Sequence, residues 1–276
     1  MPSVQFIFSI AFVLPNVSFF WYTKRTMFKL FTSKSDSARF PAFTLFNSET
    51  MEQETFEPLS KNDVRVYSCG PTVYDYAHIG NLRAYIFSDT LKRALLYNGY
   101  NVNHTINYTD FGHLTSDADT GDDKMMKGLR RENMEVSLES MRFLSDKYIE
   151  AFSTDIESLN ILPPTQFARV SDYVTEQIAL IKTLEEKGYT YTTSDGVYFD
   201  ISKFPSYGRL GNINVQELKS GARVEKNSEK KNPADFAVWK NGELGWDSTW
   251  GKGFPGWHIE CSAMAFATLG KQIDIH

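Results

Sequence analysis

The sequence predicts an α/β fold, with a parallel, doubly wound sheet and a helix-rich segment inserted between its two parts. Three observations support this prediction. Residues 64–108 show a strand–loop–helix–strand pattern, which is the βαβ unit of parallel sheets. Helical periodicity then dominates the middle of the chain, and an apolar helix-like segment returns at residues 259–269. The composition is typical of a globular protein, because 42% of the 276 residues are hydrophobic and 23% are charged.

The elements of the βαβ unit follow in order. Residues 64–68 alternate and are rich in β-forming side chains, which predicts a strand, and residues 101–108 predict a second strand. Between them, apolar residues recur at helical spacing, and Gly99 stands where that helix is expected to end. The apolar residues are Leu82, Tyr85, Ile86, Leu91, Ala94 and Leu95.

The inserted segment is expected to follow an acidic loop at residues 116–123. Two apolar helix faces are predicted in it. They comprise Met134, Leu138, Met141 and Tyr148 on one face, and Val174, Ile178, Ile181 and Leu184 on the other. Residues 189–200 predict a small hairpin that turns at residues 194–196. Residues 219–232 are polar and charged, which predicts a surface loop.

These patterns divide the chain into four parts. Residues 1–42 are an amino-terminal extension, residues 43–125 and 251–276 are the two halves of the α/β domain, and residues 126–250 are the connecting insertion. Residues 4–22 carry no charge and have the length of a membrane span. The extension is therefore an artefact of the assigned start, a membrane anchor or an organelle-targeting peptide. We expect a cytoplasmic protein, with an organellar or membrane-anchored location through residues 4–22 as the alternative.

Charge and cysteine content limit the function classes. A net charge of −5 gives no overall basic field, so a nucleic-acid partner must be bound by a local patch. The two cysteines, Cys69 and Cys261, are too few for a disulfide framework. Buried free thiols and metal ligands are the two interpretations left for them.

The first group of candidate functional residues lies at residues 69–81, where the first strand meets its helix. The amino terminus of a helix favours an anion, because its N–H groups and its dipole point there. His78 and Asn81 stand three residues apart, so both can reach a phosphate at this position, and Gly80 allows close approach of the backbone. The alternative is a turn in which Asn81 caps the helix and His78 has no function.

The second group is Trp257, His258 and Cys261. On a helix, His258 and Cys261 lie on one face, and together with Cys69 they suggest a zinc site assembled from distant segments. A competing pattern is the glycine spacing of residues 251–256, which matches dinucleotide-binding folds. We reject it because no buried strand precedes these glycines, although Asp274 lies near the expected acidic position.

Taken in order, the motifs resemble the cysteinyl-tRNA synthetases, a class I family that uses zinc. The matching segments are S-C-G-P-T-V-Y-D followed by H-I-G-N (68–81), N-Y-T-D (107–110), D-D-K (122–124), S-G-A-R-V-E (220–225), N-P-A-D-F (232–236), V-W-K (238–240), P-G-W-H-I-E-C-S-A-M (255–264) and D-I-H (274–276). Each segment alone is of modest specificity, whereas the ordered set is highly specific. The resemblance covers the chain from about Leu45 to its last residue.

The resemblance implies a class I synthetase Rossmann-like (HUP) catalytic domain with an inserted α-rich connective segment, truncated before completion. Cys69 and Cys261 match two of the four zinc ligands of the family, and the remaining His and Glu ligands would lie beyond the chain end. The ATP-binding positions correspond to His78, Gly80, Asn81 and His276, of which His78 and Asn81 are the catalytic pair. The positions that bind the substrate cysteine correspond to Gly70, Thr72, Thr109, Trp257 and His258. His258 is therefore withdrawn as a metal ligand.

One residue departs from the family pattern. Asn81 stands where the family has a second His, and Asn keeps a hydrogen-bond donor but cannot carry charge. Weaker stabilisation of the phosphates is therefore expected at this position.

The implied function is ATP-dependent activation of L-cysteine to cysteinyl-adenylate and its transfer to cysteine tRNA. Zinc would bind the substrate thiolate, ATP would act with Mg²⁺, and the protein is expected to be a monomer without a membrane partner. The alternatives are a zinc-dependent ligase that joins cysteine to an amino sugar in mycothiol synthesis, and a non-catalytic zinc-binding module. The 276-residue chain by itself is expected to be inactive and to bind zinc weakly.

Overall fold

The computed structural model describes residues 43–112, 124–209, 228–256 and 258–276. These residues form nine strands and five α-helices. The strands are β1 (Thr44–Asn47), β2 (Glu52–Thr55), β3 (Asp63–Ser68), β4 (Asn101–Tyr108), β5 (Gln166–Arg169), β6 (Thr190–Thr193), β7 (Gly196–Phe199), β8 (Phe236–Trp246) and β9 (Gly253–Pro255). The helices are α1 (Ile79–Tyr97), α2 (Lys124–Arg131), α3 (Leu138–Ser158), α4 (Val174–Glu186) and α5 (Ile259–Leu269).

A three-stranded parallel sheet with the order β3-β4-β5 forms the centre of the α/β part. The last five residues of β4 are buried, as expected for a central strand covered on both faces. On the other edge of β3, Val66 forms a parallel bridge with Ile275. The Asp274 carboxylate fixes this contact by accepting from the backbone N–H of Arg65 at 2.7 Å. The predicted strands and their parallel pairing are confirmed.

Helix α1 connects β3 to β4 and completes the βαβ unit. It begins after His78 and buries Tyr85 and Leu95. Gly99 follows it with φ +85°, a left-handed conformation that glycine adopts without strain. The N–H of Tyr100 then donates to the carbonyl of Leu95 at 3.1 Å, which closes the last turn. The predicted helix and its end are confirmed.

A four-stranded antiparallel sheet, β6-β7-β8-β9, lies in the inserted segment. The hairpin predicted at residues 189–200 is confirmed as β6 and β7, whose register pairs Thr193 with Gly196. Strands β8 and β9 were not predicted. Since β9 occupies Gly253–Pro255 and pairs with β8, the glycine pattern at 251–256 belongs to a sheet strand and not to a strand-to-helix phosphate loop.

Helix α5 packs against both sheets. Its Met264 lies in an apolar cluster with Tyr67 of β3, and its Ile259 lies in a second cluster with Trp239 of β8. Cys261 falls between these two anchors and contacts the first cluster. The two cores together therefore set the position of Cys261 relative to the end of β3.

The prediction of an apolar helix face that begins at Met134 is partly wrong. The Ser137 side chain accepts from the N–H of Ser140, so α3 starts at Leu138 and Met134 precedes it. Leu138 itself is 37% exposed. The apolar residues that α3 buries are Met141, Leu144, Tyr148, Phe152 and Ile156.

The second predicted face is confirmed, because α4 buries Val174 and Ile181 while Ile178 and Leu184 are partly buried. Several other predictions fall outside the described residues, namely the acidic loop at 116–123, most of the polar loop at 219–232 and the extension at 1–42. Among the helices that are described, none is both long and apolar enough to span a membrane. The four-part division of the chain stays a prediction.

Candidate active site

The predicted site residues gather where the parallel strands end. Cys69 follows β3 and Thr109 follows β4, and both strands run in the same direction. The carboxyl ends of parallel strands are the usual place for ligand binding in open α/β sheets. The fold therefore brings Cys69 of the first group and Cys261 of the second group to the same edge.

The thiols of Cys69 and Cys261 are in contact, with 3.9 Å between the two sulfur atoms although 192 positions separate them in the sequence. Zinc–thiolate bonds of about 2.3 Å in a tetrahedral site place two sulfur ligands about 3.8 Å apart. The separation in this protein therefore fits two ligands on one ion. Within the ranges that the structure describes, no group of three or more His, Cys, Asp or Glu side chains has the geometry of a metal site.

The hydrogen bonds of the thiol pair shift the pKa values of the two cysteines in opposite directions. The bond between the thiols lowers the pKa of Cys69 and raises the pKa of Cys261, because only one of the two sulfur atoms needs a proton. A hydrogen bond with His276 lowers the pKa of Cys69 further and raises the pKa of His276. The His276 ring stacks on Tyr67, with 5.4 Å between the ring centroids. The shared hydrogen bond thus favours one thiolate in the pair, and His276 lies beside Cys69.

The loop after Cys69 is held tightly against the end of β4. Thr72 and Thr109 form a parallel bridge, and the N–H of Thr109 donates to the Pro71 carbonyl at 3.0 Å. A Cβ atom on Gly70 would lie only 1.6 Å from the backbone oxygen of Asn107, so no other residue fits without displacing the backbone. The predicted substrate residues Gly70, Thr72 and Thr109 therefore form one rigid unit beside the thiol pair.

His78 and Asn81 bond to each other at the start of α1. The Nδ1 atom of His78 accepts from the Gly80 N–H at 3.0 Å, and Oδ1 of Asn81 accepts from the His78 N–H at 3.2 Å. This reciprocal arrangement is a capping box, with His78 in the place of the usual serine or threonine. The alternative prediction, in which Asn81 caps the helix and His78 has no function, is therefore corrected in one respect: His78 is the N-cap, and Asn81 lies three residues further along as its capping-box partner. Both side chains remain exposed to solvent and available to a ligand.

His258 begins α5 in an unusual backbone conformation, with φ +76° and ψ −33°. Such a conformation is rare for a residue with a side chain and marks a place where surrounding structure holds the backbone. The His258 ring meets Phe236 edge to face, with 6.0 Å between the ring centroids. The predicted site residue Trp257 lies outside the described residues.

Three buried polar residues at this edge were not predicted: Asn107, Asp110 and Glu260. Asn107 contacts Gly70, Thr109 and Cys261. Asp110 accepts from the hydroxyl of Ser171 at 2.6 Å, which ties the end of β4 to the segment after β5. Burial raises the pKa of Glu260 to about 8, and its Oε2 atom has no hydrogen-bond partner among the described residues.

A polar residue in an otherwise apolar segment is the signal that could have identified these three. Asn107 and Asp110 lie in N-Y-T-D at the end of a buried strand, and Glu260 lies in the apolar helix I-E-C-S-A-M. A buried polar group requires a partner, and functional sites supply such partners.

Comparison with known proteins agrees with this geometry. The family profile described as tRNA synthetases class I (C) catalytic domain matches residues 55–276. The chain belongs to this family. A relative named cysteine–tRNA ligase from Treponema denticola is 49% identical over 238 residues, which cover 84% of this chain and 47% of the relative. A relative of the same name from Pyrococcus furiosus is 43% identical over 235 residues, covering 84% of this chain and 46% of the relative.

The chain spans about half the length of the curated relatives it matches. A solved structure of Mycobacterium tuberculosis methionyl-tRNA synthetase in complex with methionyl-adenylate shares the fold. Its TM-score is 0.55 at 12% identity, over 76% of this chain and 47% of that one. The class I synthetase fold predicted from the motifs is therefore confirmed.

Proposed function

We propose that the protein activates L-cysteine with ATP to form cysteinyl-adenylate and then transfers the cysteinyl group to cysteine tRNA. The observation that carries the proposal is the Cys69–Cys261 thiol pair, which lies beside Gly70 and Thr109 at the carboxyl edge of the sheet. The names of relatives that are 42–49% identical support the same substrates for this chain. A cysteine-specific enzyme needs a group that distinguishes sulfur from oxygen, and this pair fits one.

Cys69 and Cys261 would hold a zinc ion, as their sulfur–sulfur separation of 3.9 Å supports. When bound, zinc supplies a coordination position that prefers thiolate sulfur to a hydroxyl oxygen. An apolar pocket alone discriminates between side chains of similar size by only about 1–3 kcal/mol. The selection of cysteine over serine would therefore depend on the residues that hold the ion.

His78 and Asn81 are suited to bind the phosphates of ATP. Because Nδ1 of His78 accepts a backbone N–H, the ring proton must lie on Nε2, which is free to donate. Because Oδ1 of Asn81 accepts the other backbone N–H, its amide nitrogen is likewise left to donate. The capping box thus orients two donors at a helix amino terminus, where a Mg²⁺-bound triphosphate would be stabilised. Asn81 supplies a neutral donor in the position where the family has His.

The test is amino-acid-dependent exchange of pyrophosphate into ATP, followed by transfer to tRNA, with the full-length natural protein loaded with zinc. Exchange with L-cysteine, none with L-serine and charging of cysteine tRNA are expected. Exchange without tRNA charging, together with ligation of cysteine to an amino sugar, would assign the mycothiol-type activity instead. Absence of any exchange would contradict the proposal and favour a non-catalytic module.

A further inference from the structure

One buried amide joins three parts of the candidate site. Asn107 lies on β4 and is only 2% exposed. Its Oδ1 accepts from the Gly70 N–H at 2.9 Å, and its Nδ2 donates to Oγ1 of Thr109 at 3.1 Å. The sulfur of Cys261 lies 3.9 Å from the same Oδ1. The loop after β3, the end of β4 and helix α5 therefore meet at this side chain.

The orientation of the amide is determined by its partners. A backbone N–H can only donate, so the oxygen of Asn107 must face Gly70 and its nitrogen must face Thr109. An amide nitrogen can only donate in turn, so the Thr109 hydroxyl oxygen must accept. The bond from Asn107 therefore leaves the hydroxyl proton of Thr109 to be donated to another group.

The backbone is held close on both sides of the Asn107 amide. Gly70 packs so closely on the backbone of Asn107 that a Cβ atom would lie 1.6 Å from its carbonyl oxygen. The N–H of Val73 donates to the Thr109 carbonyl at 3.0 Å, which fixes the backbone on the other side of the amide. The Thr109 hydroxyl is therefore held in place at the end of β4 with its proton available as a hydrogen-bond donor.

We propose that Asn107 is a positioning residue that makes Thr109 a donor to a carboxylate oxygen of the bound amino acid. The inference rests on the proposed function. A carboxylate is the strongest hydrogen-bond acceptor that an amino acid offers, whereas its ammonium group can only donate. Through its contacts with Gly70 and Cys261, the same amide keeps this donor at a constant position relative to the thiol pair.

The inference is tested by amino-acid binding to the full-length natural protein loaded with Co²⁺ in place of zinc. The near-ultraviolet charge-transfer absorption of thiolate–cobalt bonds reports each thiolate ligand, so added L-cysteine should increase it. Asn107→Asp keeps the shape of the side chain and the oxygen that accepts from Gly70. It replaces the amide nitrogen, which donates to Thr109, with a second oxygen. The Thr109 hydroxyl must then donate its proton to this carboxylate. Thr109→Val removes the hydroxyl. Asn103→Ala, on the exposed face of the same strand, is the control.

L-cysteine should bind at least about tenfold more weakly to Asn107→Asp and to Thr109→Val. The double variant should be no more than about twofold weaker than either single variant, because both changes remove the same hydrogen bond. Cysteamine has the thiol and the amine but no carboxylate, and its affinity should be equal in all of these proteins. Asn103→Ala should bind both compounds as the unmodified protein does.

Three outcomes would overturn the inference. Unchanged L-cysteine affinity in Asn107→Asp would show that the amide does not position the donor, and the proposed function would stand. If the affinities for L-cysteine and cysteamine fall equally, the substitutions have damaged the thiol pair and have not removed a carboxylate contact. If L-cysteine does not change the absorption of the unmodified protein, the proposed function fails and this inference fails with it.

Discussion

His78 caps a helix, and under the proposed function it also binds the phosphates of ATP. Its Nδ1 atom caps helix α1 by accepting from Gly80, and this bond leaves Nε2 as the outward donor. A helix cap contributes about 1 kcal/mol to stability, while a donor that stabilises transition-state charge contributes a factor of about 100 or more to the rate. The two contributions are separable by substitution.

We expect His78→Ala to lower cysteine-dependent pyrophosphate exchange about 100-fold or more and to lower the free energy of unfolding by about 1 kcal/mol. His78→Asn is the matched control, because Asn is a good N-cap but does not place a donor where Nε2 lies. The His78→Asn variant should keep the free energy of unfolding of the unmodified protein and lose pyrophosphate exchange. Zinc content should be unchanged in both variants, as measured by metal analysis. An unaltered exchange rate in His78→Ala would mean that the residue serves the helix alone.

His104 is a second residue whose environment makes a measurable prediction. It is 2% exposed on β4, its Nε2 lies 2.9 Å from the Ser68 hydroxyl, and Nδ1 has no partner among the described residues. Burial lowers the pKa of His104 from 6.5 to about 4, and the charge of Lys92 on α1 acts in the same direction, while Asp89 opposes it. The unfolded chain therefore binds the proton more readily than the folded protein does.

The stability that depends on neutral His104 is present above the unfolded pKa of about 6.5 and is lost as the pH falls towards 4. The full loss is about 3 kcal/mol. Denaturant unfolding at pH 7 and pH 4.5 should show a smaller pH dependence for His104→Gln than for the unmodified protein. Asn103→Ala, on the same strand, should keep the original dependence. Identical dependence in all three proteins would refute the assignment.

At the scale of elements, the site depends on the meeting of β3 and α5. Cys69 directly follows β3, and Cys261 lies in the first turn of α5. Packing of Met264 against Tyr67 holds the helix on the sheet. The two thiols that we propose as zinc ligands are therefore brought together by the apolar core and not by a short loop. This differs from small zinc modules, in which ligands close together in sequence need the ion in order to fold.

We expect Cys261→Ser to abolish stoichiometric zinc binding by the full-length protein, because a hydroxyl is a poor ligand where a thiolate is required. The fold should survive, since α5 keeps both of its apolar anchors. Ser262→Ala, one residue further along an exposed position of the same helix, should retain zinc fully. Metal analysis with far-ultraviolet circular dichroism checks both statements. Unchanged zinc in Cys261→Ser would refute the ligand assignment.

On the scale of the whole molecule, α1 presents an apolar surface to solvent. Phe87 is 73% exposed, Ile79 is 87% exposed and Ile86 is 44% exposed, and the three lie on one helix. Adjacent exposed apolar side chains of this size promote association in water. The 276-residue chain taken by itself therefore carries an association-prone surface near the candidate site.

We expect the 276-residue chain to self-associate with increasing concentration, and Phe87→Glu to shift it towards the monomer. Thr90→Glu adds the same charge at an exposed, polar position of the same helix, so it should have a smaller effect. Sedimentation velocity over a range of concentrations measures the difference. A chain that remains monomeric throughout, or equal effects of the two substitutions, would exclude α1 as the association surface.

Local sequence patterns were sufficient to predict the βαβ unit, helices α4 and α5, and the family. The strand at residues 101–108 and the helix at 259–269 were predicted with the observed bounds, because alternation and helical periodicity are properties of neighbouring residues. The signature around Cys69 and Cys261 likewise needed only residue types in order. Met134 was misassigned because Ser137, a helix-capping residue, ends the pattern before it.

The tertiary structure alone decided what these residues meet. The contact between Cys69 and Cys261 spans 192 positions, and the pairing of β8 with β9 depends on hydrogen bonds that no periodicity encodes. In the sequence, Asn107 is only a polar residue in a strand. The structure shows that its oxygen accepts from Gly70 and that its nitrogen donates to Thr109. A hydrogen-bonding group takes its role from its partners, and those partners are brought together by the packing of the whole chain.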